Sequence, residues 1–117
     1  MQVLIVDDHA AFRASARTLL ELDGFDVIGE ATDGASALHL ARELDPELVL
    51  LDVALPDTTG FDVAEQLVRA GSKVILTSSR TQTDLGRRVR HCGAVGFVPK
   101  DELSGAAINT LLDEAPP

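Results

Sequence analysis

Three aspartates, a threonine and a lysine are the residues of this chain best suited to chemistry: the adjacent pair Asp7 and Asp8, then Asp52, Thr77 and Lys100. Three carboxylates gathered in one place repel each other, and a fold gains no stability from that crowding without a cation. Hard oxygen donors of this kind suit a hard divalent ion. Magnesium suits best, because it keeps several waters and takes one or two carboxylates together with phosphate oxygens. One ammonium and one divalent ion beside three carboxylates cancel in formal charge, so a dianionic phosphoryl group is no longer repelled. Taken singly, each residue has an ordinary reading. Asp7 and Asp8 suit a solvated loop or a helix cap. Asp52 suits a turn that leads to Pro56 and Gly60. Thr77 suits a strand and Lys100 the surface. The chemistry follows only if the fold brings all five together.

The surrounding pattern does so. Five short apolar runs alternate with segments of helical period: Val3 to Val6, Phe25 to Ala31, Leu48 to Leu51, Val74 to Thr77 and Ala94 to Val98. They are nearly continuous and often β-branched, as strands buried on both faces are. Between them lie apolar stripes at helical spacing: Phe12, Ala16, Leu19 and Leu20; Ala37, Leu38, Ala41 and Leu44; Phe61, Ala64, Leu67 and Val68; Leu85, Val89 and Cys92; Leu103, Ala107, Ile108 and Leu111. Arg13, Arg17 and Glu21 fall off the first stripe. Five-fold alternation predicts an α/β fold, a five-stranded parallel sheet with helices on both faces. In such sheets ligands bind beyond the carboxyl ends of the strands. Asp7-Asp8, Asp52, Thr77 to Ser79 and Lys100 each follow or end a strand, so they converge on that edge.

The chain of 117 residues fits one domain, and 45% hydrophobic content is enough for a core without disulfides. Its single cysteine, Cys92, excludes an internal disulfide and a Cys/His zinc site, and reads as a small core hydrophobe. His9, His39 and His91 have no second His or Cys at ligand spacing. The net charge of −9 disfavours binding to nucleic acid or to anionic lipid by this domain itself. Asp7 and Asp8 interrupt the opening apolar run, so no signal peptide is expected, and no stretch approaches a membrane span. A cytoplasmic protein is expected. The cationic residues Arg80, Arg87, Arg88 and Arg90 cluster around the fourth helix, which also carries Gly86 and a thin apolar stripe. That helix is predicted to be weakly held. Residues 1–113 form the domain, and 114–117 read as the start of a linker or a frayed end.

In order and spacing these residues resemble the receiver domains of bacterial two-component response regulators. The resemblance rests on Asp7-Asp8, on Leu50-Leu51-Asp52-Val53, on Pro56 and Gly60, on Thr77, Phe97 and Lys100, and covers essentially the whole chain. It implies strand order 2-1-3-4-5, the flavodoxin-like receiver fold. It implies that Asp52 is the phosphoacceptor for a sensor histidine kinase. Asp8 and Asp52 would ligate magnesium directly with the backbone carbonyl of Ala54, and Asp7 through water. Lys100 and Thr77 would bind phosphoryl oxygens, and Phe97 would act with Thr77 as the switch. The readout face would be the fourth helix, fifth strand and fifth helix, and phosphorylation would allow a homodimer. No enzyme activity is implied beyond self-phosphorylation and autodephosphorylation.

Leu55 stands where the family usually has Met, and Ser78 where a small Ala is common. Val6-Asp7-Asp8-His9, Ile28-Gly29-Glu30-Ala31 and Lys100-Asp101 resemble the branch that precedes a helix-turn-helix DNA-binding domain, so the regulated output is expected to be transcription. Two other enzyme or cofactor classes fail on single residues. A haloacid-dehalogenase-type phosphatase needs a second acid where His9 stands, and a nucleotide or flavin binder needs a glycine-rich loop where Asp7-Asp8 stand. The remaining alternative is a degenerate receiver, a protein-interaction module independent of phosphorylation.

Overall fold

The computed structural model describes residues 1–79 and 85–114. The elements alternate throughout: β1 (Gln2–Val6), α1 (Ala10–Leu22), β2 (Asp26–Ala31), α2 (Gly34–Leu44), β3 (Leu48–Asp52), α3 (Gly60–Arg69), β4 (Lys73–Ser78), α4 (Leu85–Cys92), β5 (Gly96–Pro99), a 3-10 turn (Lys100–Glu102) and α5 (Gly105–Glu114). The strands form one parallel sheet in the order β2-β1-β3-β4-β5.

Strand alternation sorts the apolar side chains onto two faces, and both are covered. Val3, Ile5, Leu48 and Leu50 pack with Ala16 and Leu20 of α1 and Ile108 of α5. Leu4, Val6, Val49 and Leu51 pack with Ala37 of α2, Phe61 and Leu67 of α3, and Val89 and Cys92 of α4. Cys92 is buried, its Sγ donates to the Val89 carbonyl, and burial pushes its thiol pKa up, as expected for a core residue. No helix among the described residues is long and apolar enough to cross a membrane.

Two expectations require correction. β5 begins at Gly96, two residues after the expected Ala94. Leu19 is not part of the buried stripe of α1: it is 41% exposed. The helix meets the sheet through Phe12, Ala16 and Leu20, spaced four apart, and Leu19 is turned about 100° from Leu20. Of the cationic cluster, Arg87, Arg88 and Arg90 are exposed on α4, while Arg80 and the side chain of Leu85 lie outside the described residues. Arg88 sits over the ring of Phe61 at 4.1 Å, so it also packs against α3. Glu114 is the last residue of α5, and residues 115–117 lie outside the described ones.

The start of α2 is tied to the β3–α3 loop. Asp33 caps the helix by accepting from the Ser36 amide at 2.7 Å. Across the chain, the Asp57 carboxylate accepts from the Gly34 and Ala35 amides at 2.8 and 3.1 Å. The Gly34 bond is the main reason that the Asp57 carboxyl is held below its ordinary pKa. The stabilisation is therefore fully present above the unfolded value and is lost as pH falls through the lower, folded one. Asp57→Asn is expected to reduce stability at neutral pH, and the gap to wild type should close as the pH drops below about 4. Urea unfolding across that range checks this; a constant gap would count against it.

Candidate functional site

Because all five strands are parallel, their carboxyl ends share one edge of the sheet. β1 lies between β2 and β3, so the chain winds outward in opposite directions from the β1–β3 pair, and a crevice opens there. Asp7 and Asp8 follow β1, Asp52 ends β3, Thr77 sits near the end of β4, and Lys100 begins the turn after β5.

The structure brings the expected polar groups together. Asp7 is fully buried. Its amide donates to the Ala31 carbonyl at 3.0 Å, and its Oδ1 accepts from the His9 amide at 2.8 Å. Its Oδ2 lies 2.6 Å from Lys100 Nζ. Asp52 is also buried: its Oδ1 accepts from the Ala54 amide at 3.1 Å and its Oδ2 from Lys100 Nζ at 3.2 Å. Lys100 thus bridges two carboxylates, and the ring of Phe12 on α1 supports its ammonium at 4.6 Å. Asp8 is more open, and its carboxylate meets the His9 ring at 3.0 Å. Potential ligand atoms of Asp7, Asp8, His9 and Asp52 all lie within 4.8 Å of one another. The cluster opens into a cavity of about 410 Å³, lined also by Ala54, Ser78, Ser79 and Lys100.

The electrostatics follow from this packing. Burial raises the Asp52 pKa, and the nearby charge of Asp7 adds to it; the Ala54 amide and Lys100 oppose the rise. For Lys100, burial pulls the ammonium pKa down, but bonds to and charges of Asp7 and Asp52 outweigh it, and the net shift is upward. Lys100 is therefore a fixed cation. Asp52 stands opposite Thr77 in the β3–β4 register. Thr77 is buried, and its hydroxyl has no hydrogen-bond partner among the described residues. A buried hydroxyl left without a partner costs about 1–3 kcal/mol, and this one lies beside Asp52. Phe97, half-buried on β5, packs against the core under α2, α3 and α4 and lines a groove of about 350 Å³ along α5.

The donor set fits magnesium: carboxylate oxygens from three aspartates, gathered beside a single fixed ammonium. The sequence placed Asp7, Asp8, Asp52, Thr77 and Lys100 at one edge, and they meet there. It missed the part played by their neighbours. Phe12 was expected only as core, Arg13 only as a residue off the apolar stripe, and His9 as part of the stretch after the first strand, with no bond to the acids. Glu30, an acid inside the second apolar run, was the one signal that a cation must reach inward.

A family profile described as response regulator receiver domain matches residues 3–111. The nitrate/nitrite response regulator NarP of Escherichia coli is 43% identical over 104 residues, covering 86% of this chain and 48% of NarP. BvgA of Bordetella pertussis, described as a positive transcription regulator of virulence factors, is 39% identical over 110 residues, covering 92% of this chain and 53% of BvgA. The chain thus spans about half the length of the curated relatives it matches. Among solved structures, the signal receiver domain of NarL from Mycobacterium tuberculosis superposes with a TM-score of 0.86 at 33% identity, covering 96% of this chain and 93% of that one. The profile match, the strand order and the acidic edge with its lysine agree: this chain belongs to the receiver-domain family of two-component response regulators.

Proposed function

We propose that the chain is a phosphorylation-dependent switch in which Asp52 accepts a phosphoryl group from a phosphohistidine of a sensor kinase. The observation that carries this is the Asp52 carboxylate at the cavity, paired with Lys100 and opposite the Thr77 hydroxyl, which has no partner among the described residues. An Asp52 oxygen attacks phosphorus, the P–N bond to the donor imidazole breaks, and the electron pair leaves with the imidazole. Magnesium, held by Asp8 and Asp52 with the Ala54 carbonyl and by Asp7 through water, would neutralise and polarise the transferring group. Lys100 turns from Asp52 to a phosphoryl oxygen, as a point charge can. The Thr77 hydroxyl donates to another oxygen, a bond that only the phosphorylated state offers, so it biases a two-state equilibrium. Phe97 moves inward as Thr77 shifts, and the face of α4, β5 and α5 changes shape. Hydrolysis of the acyl phosphate at the same site resets the switch.

The relatives NarP and BvgA are regulators about twice the length of this chain, which supports an output, transcription, carried by a domain beyond the receiver. The acidic domain itself takes no part in DNA contact, and the cytoplasm is its place of work. The test is incubation with acetyl phosphate and magnesium followed by intact mass measurement. A gain of one phosphoryl group is expected in wild type, and none in Asp52→Asn or without magnesium. A folded wild type that gains nothing would replace this reading with that of an interaction module.

A further inference from the structure

The peptide that joins Asp7 to Asp8 is gripped from α1. Arg13 Nη1 donates to the Asp7 carbonyl at 2.7 Å, and Arg13 Nε donates to Glu30 Oε1 at 3.1 Å. Glu30 Oε2 accepts in turn from Arg17 Nη1 at 2.7 Å, and Arg17 Nη2 donates to the Val27 carbonyl at 3.2 Å. The Arg13 side chain is only 16% exposed. It spans from α1 to the end of β1 and to the edge strand β2, which needs a guanidinium's two directed donors.

The three acids are aimed by different means. Asp7 is fixed through the His9 amide and Lys100, and Asp52 through the Ala54 amide and Lys100. Among the described residues, the Asp8 carboxylate meets only the exposed His9 ring, so its direction depends on its backbone. The carbonyl that Arg13 holds belongs to the peptide from which Asp8 departs. We propose that Arg13, clamped by Glu30, is a positioning residue for the divalent-ion site: by fixing the Asp7–Asp8 peptide it directs the Asp8 carboxylate to the point where Asp52 also faces. This rests on the reading above that these acids hold magnesium.

A tie that merely joined α1 to β2 would act on stability alone. The two roles separate when magnesium affinity and unfolding are measured on the same proteins. Magnesium is titrated into the ¹⁵N-labelled chain and followed by backbone amide shifts, for wild type, Arg13→Gln, Arg13→Lys and Glu30→Gln. Thermal unfolding is recorded for each in magnesium-free buffer. Arg13→Gln is expected to weaken magnesium binding about tenfold, in line with the loss of other groups that orient metal ligands. Glu30→Gln should weaken it less, and Arg13→Lys should recover part of the loss through a single bond to the Asp7 carbonyl. Should Arg13→Gln fail to fold, Glu30→Gln and Arg13→Lys decide. Variants that unfold earlier yet bind magnesium like wild type would overturn the proposal while leaving the magnesium reading intact. A wild type that binds no magnesium would overturn both.

Discussion

Lys100→Met is expected to destabilise the fold by about 3 kcal/mol in magnesium-free buffer and to slow phosphoryl uptake about a hundredfold. Lys100 Nζ lies 2.6 Å from the buried Asp7 carboxylate and 3.2 Å from that of Asp52. Methionine fills similar volume and keeps contact with Phe12, so the loss is one of charge rather than of packing. Two carboxylates then face each other without a cation, and breaking one partner from a buried pair costs about 3–5 kcal/mol. The lower end applies because the lysine is 14% exposed at an open cavity, where water screens the acids in part. The Asp52 pKa should rise further, since Lys100 is one of the two groups holding it down. The phosphoryl oxygens lose the stabilisation of the ammonium. Magnesium should restore more stability to Lys100→Met than to wild type, because binding to the folded state alone stabilises it by linkage. Urea unfolding with and without magnesium measures both. Equal gains in the two proteins would show that Lys100 is not the charge that lets these acids coexist.

Gly60→Ala is expected to cost about 3 kcal/mol and to disable phosphoryl uptake with it. Gly60 is the first residue of α3, and its amide donates to the Val53 carbonyl at 2.7 Å. A Cβ there would collide with the Asp52 carbonyl oxygen and stand 2.8 Å from Val53 Cα. Both are backbone atoms and cannot rotate aside. Either α3 moves away or the end of β3 moves, and the second carries Asp52 with it. Gly86→Ala in α4 is the contrasting control, since among the described residues its Cβ would meet only the Arg90 guanidinium, at 3.6 Å. There alanine should be neutral or stabilise by up to about 1 kcal/mol through helix propensity. Similar stabilities for Gly60→Ala and wild type would mean that α3 relaxes without disturbing the site.

The order of the elements was legible in the residues alone. Val3 to Val6 and Leu48 to Leu51 are apolar on both alternating faces, which requires a sheet covered on both sides, and a parallel sheet puts every strand's carboxyl end at one edge. Asp7, Asp8, Asp52, Thr77 and Lys100 gather there because of where they fall relative to the strands, a property of position along the chain. Contacts between distant segments were decided only by the tertiary structure. Periodicity placed Arg13 off the apolar stripe, but cannot tell water from a carboxylate on the neighbouring strand; Glu30 and the Asp7 carbonyl make the difference. Asp57 reads as a loop acid until the loop packs on α2, and two amides on that helix become its partners. Leu19 reads as core until α1 packs on the sheet through Phe12, Ala16 and Leu20 and leaves it in solvent. That the Thr77 hydroxyl finds no partner among the described residues likewise has no local signature, because whether a hydroxyl is satisfied depends on every atom folded around it.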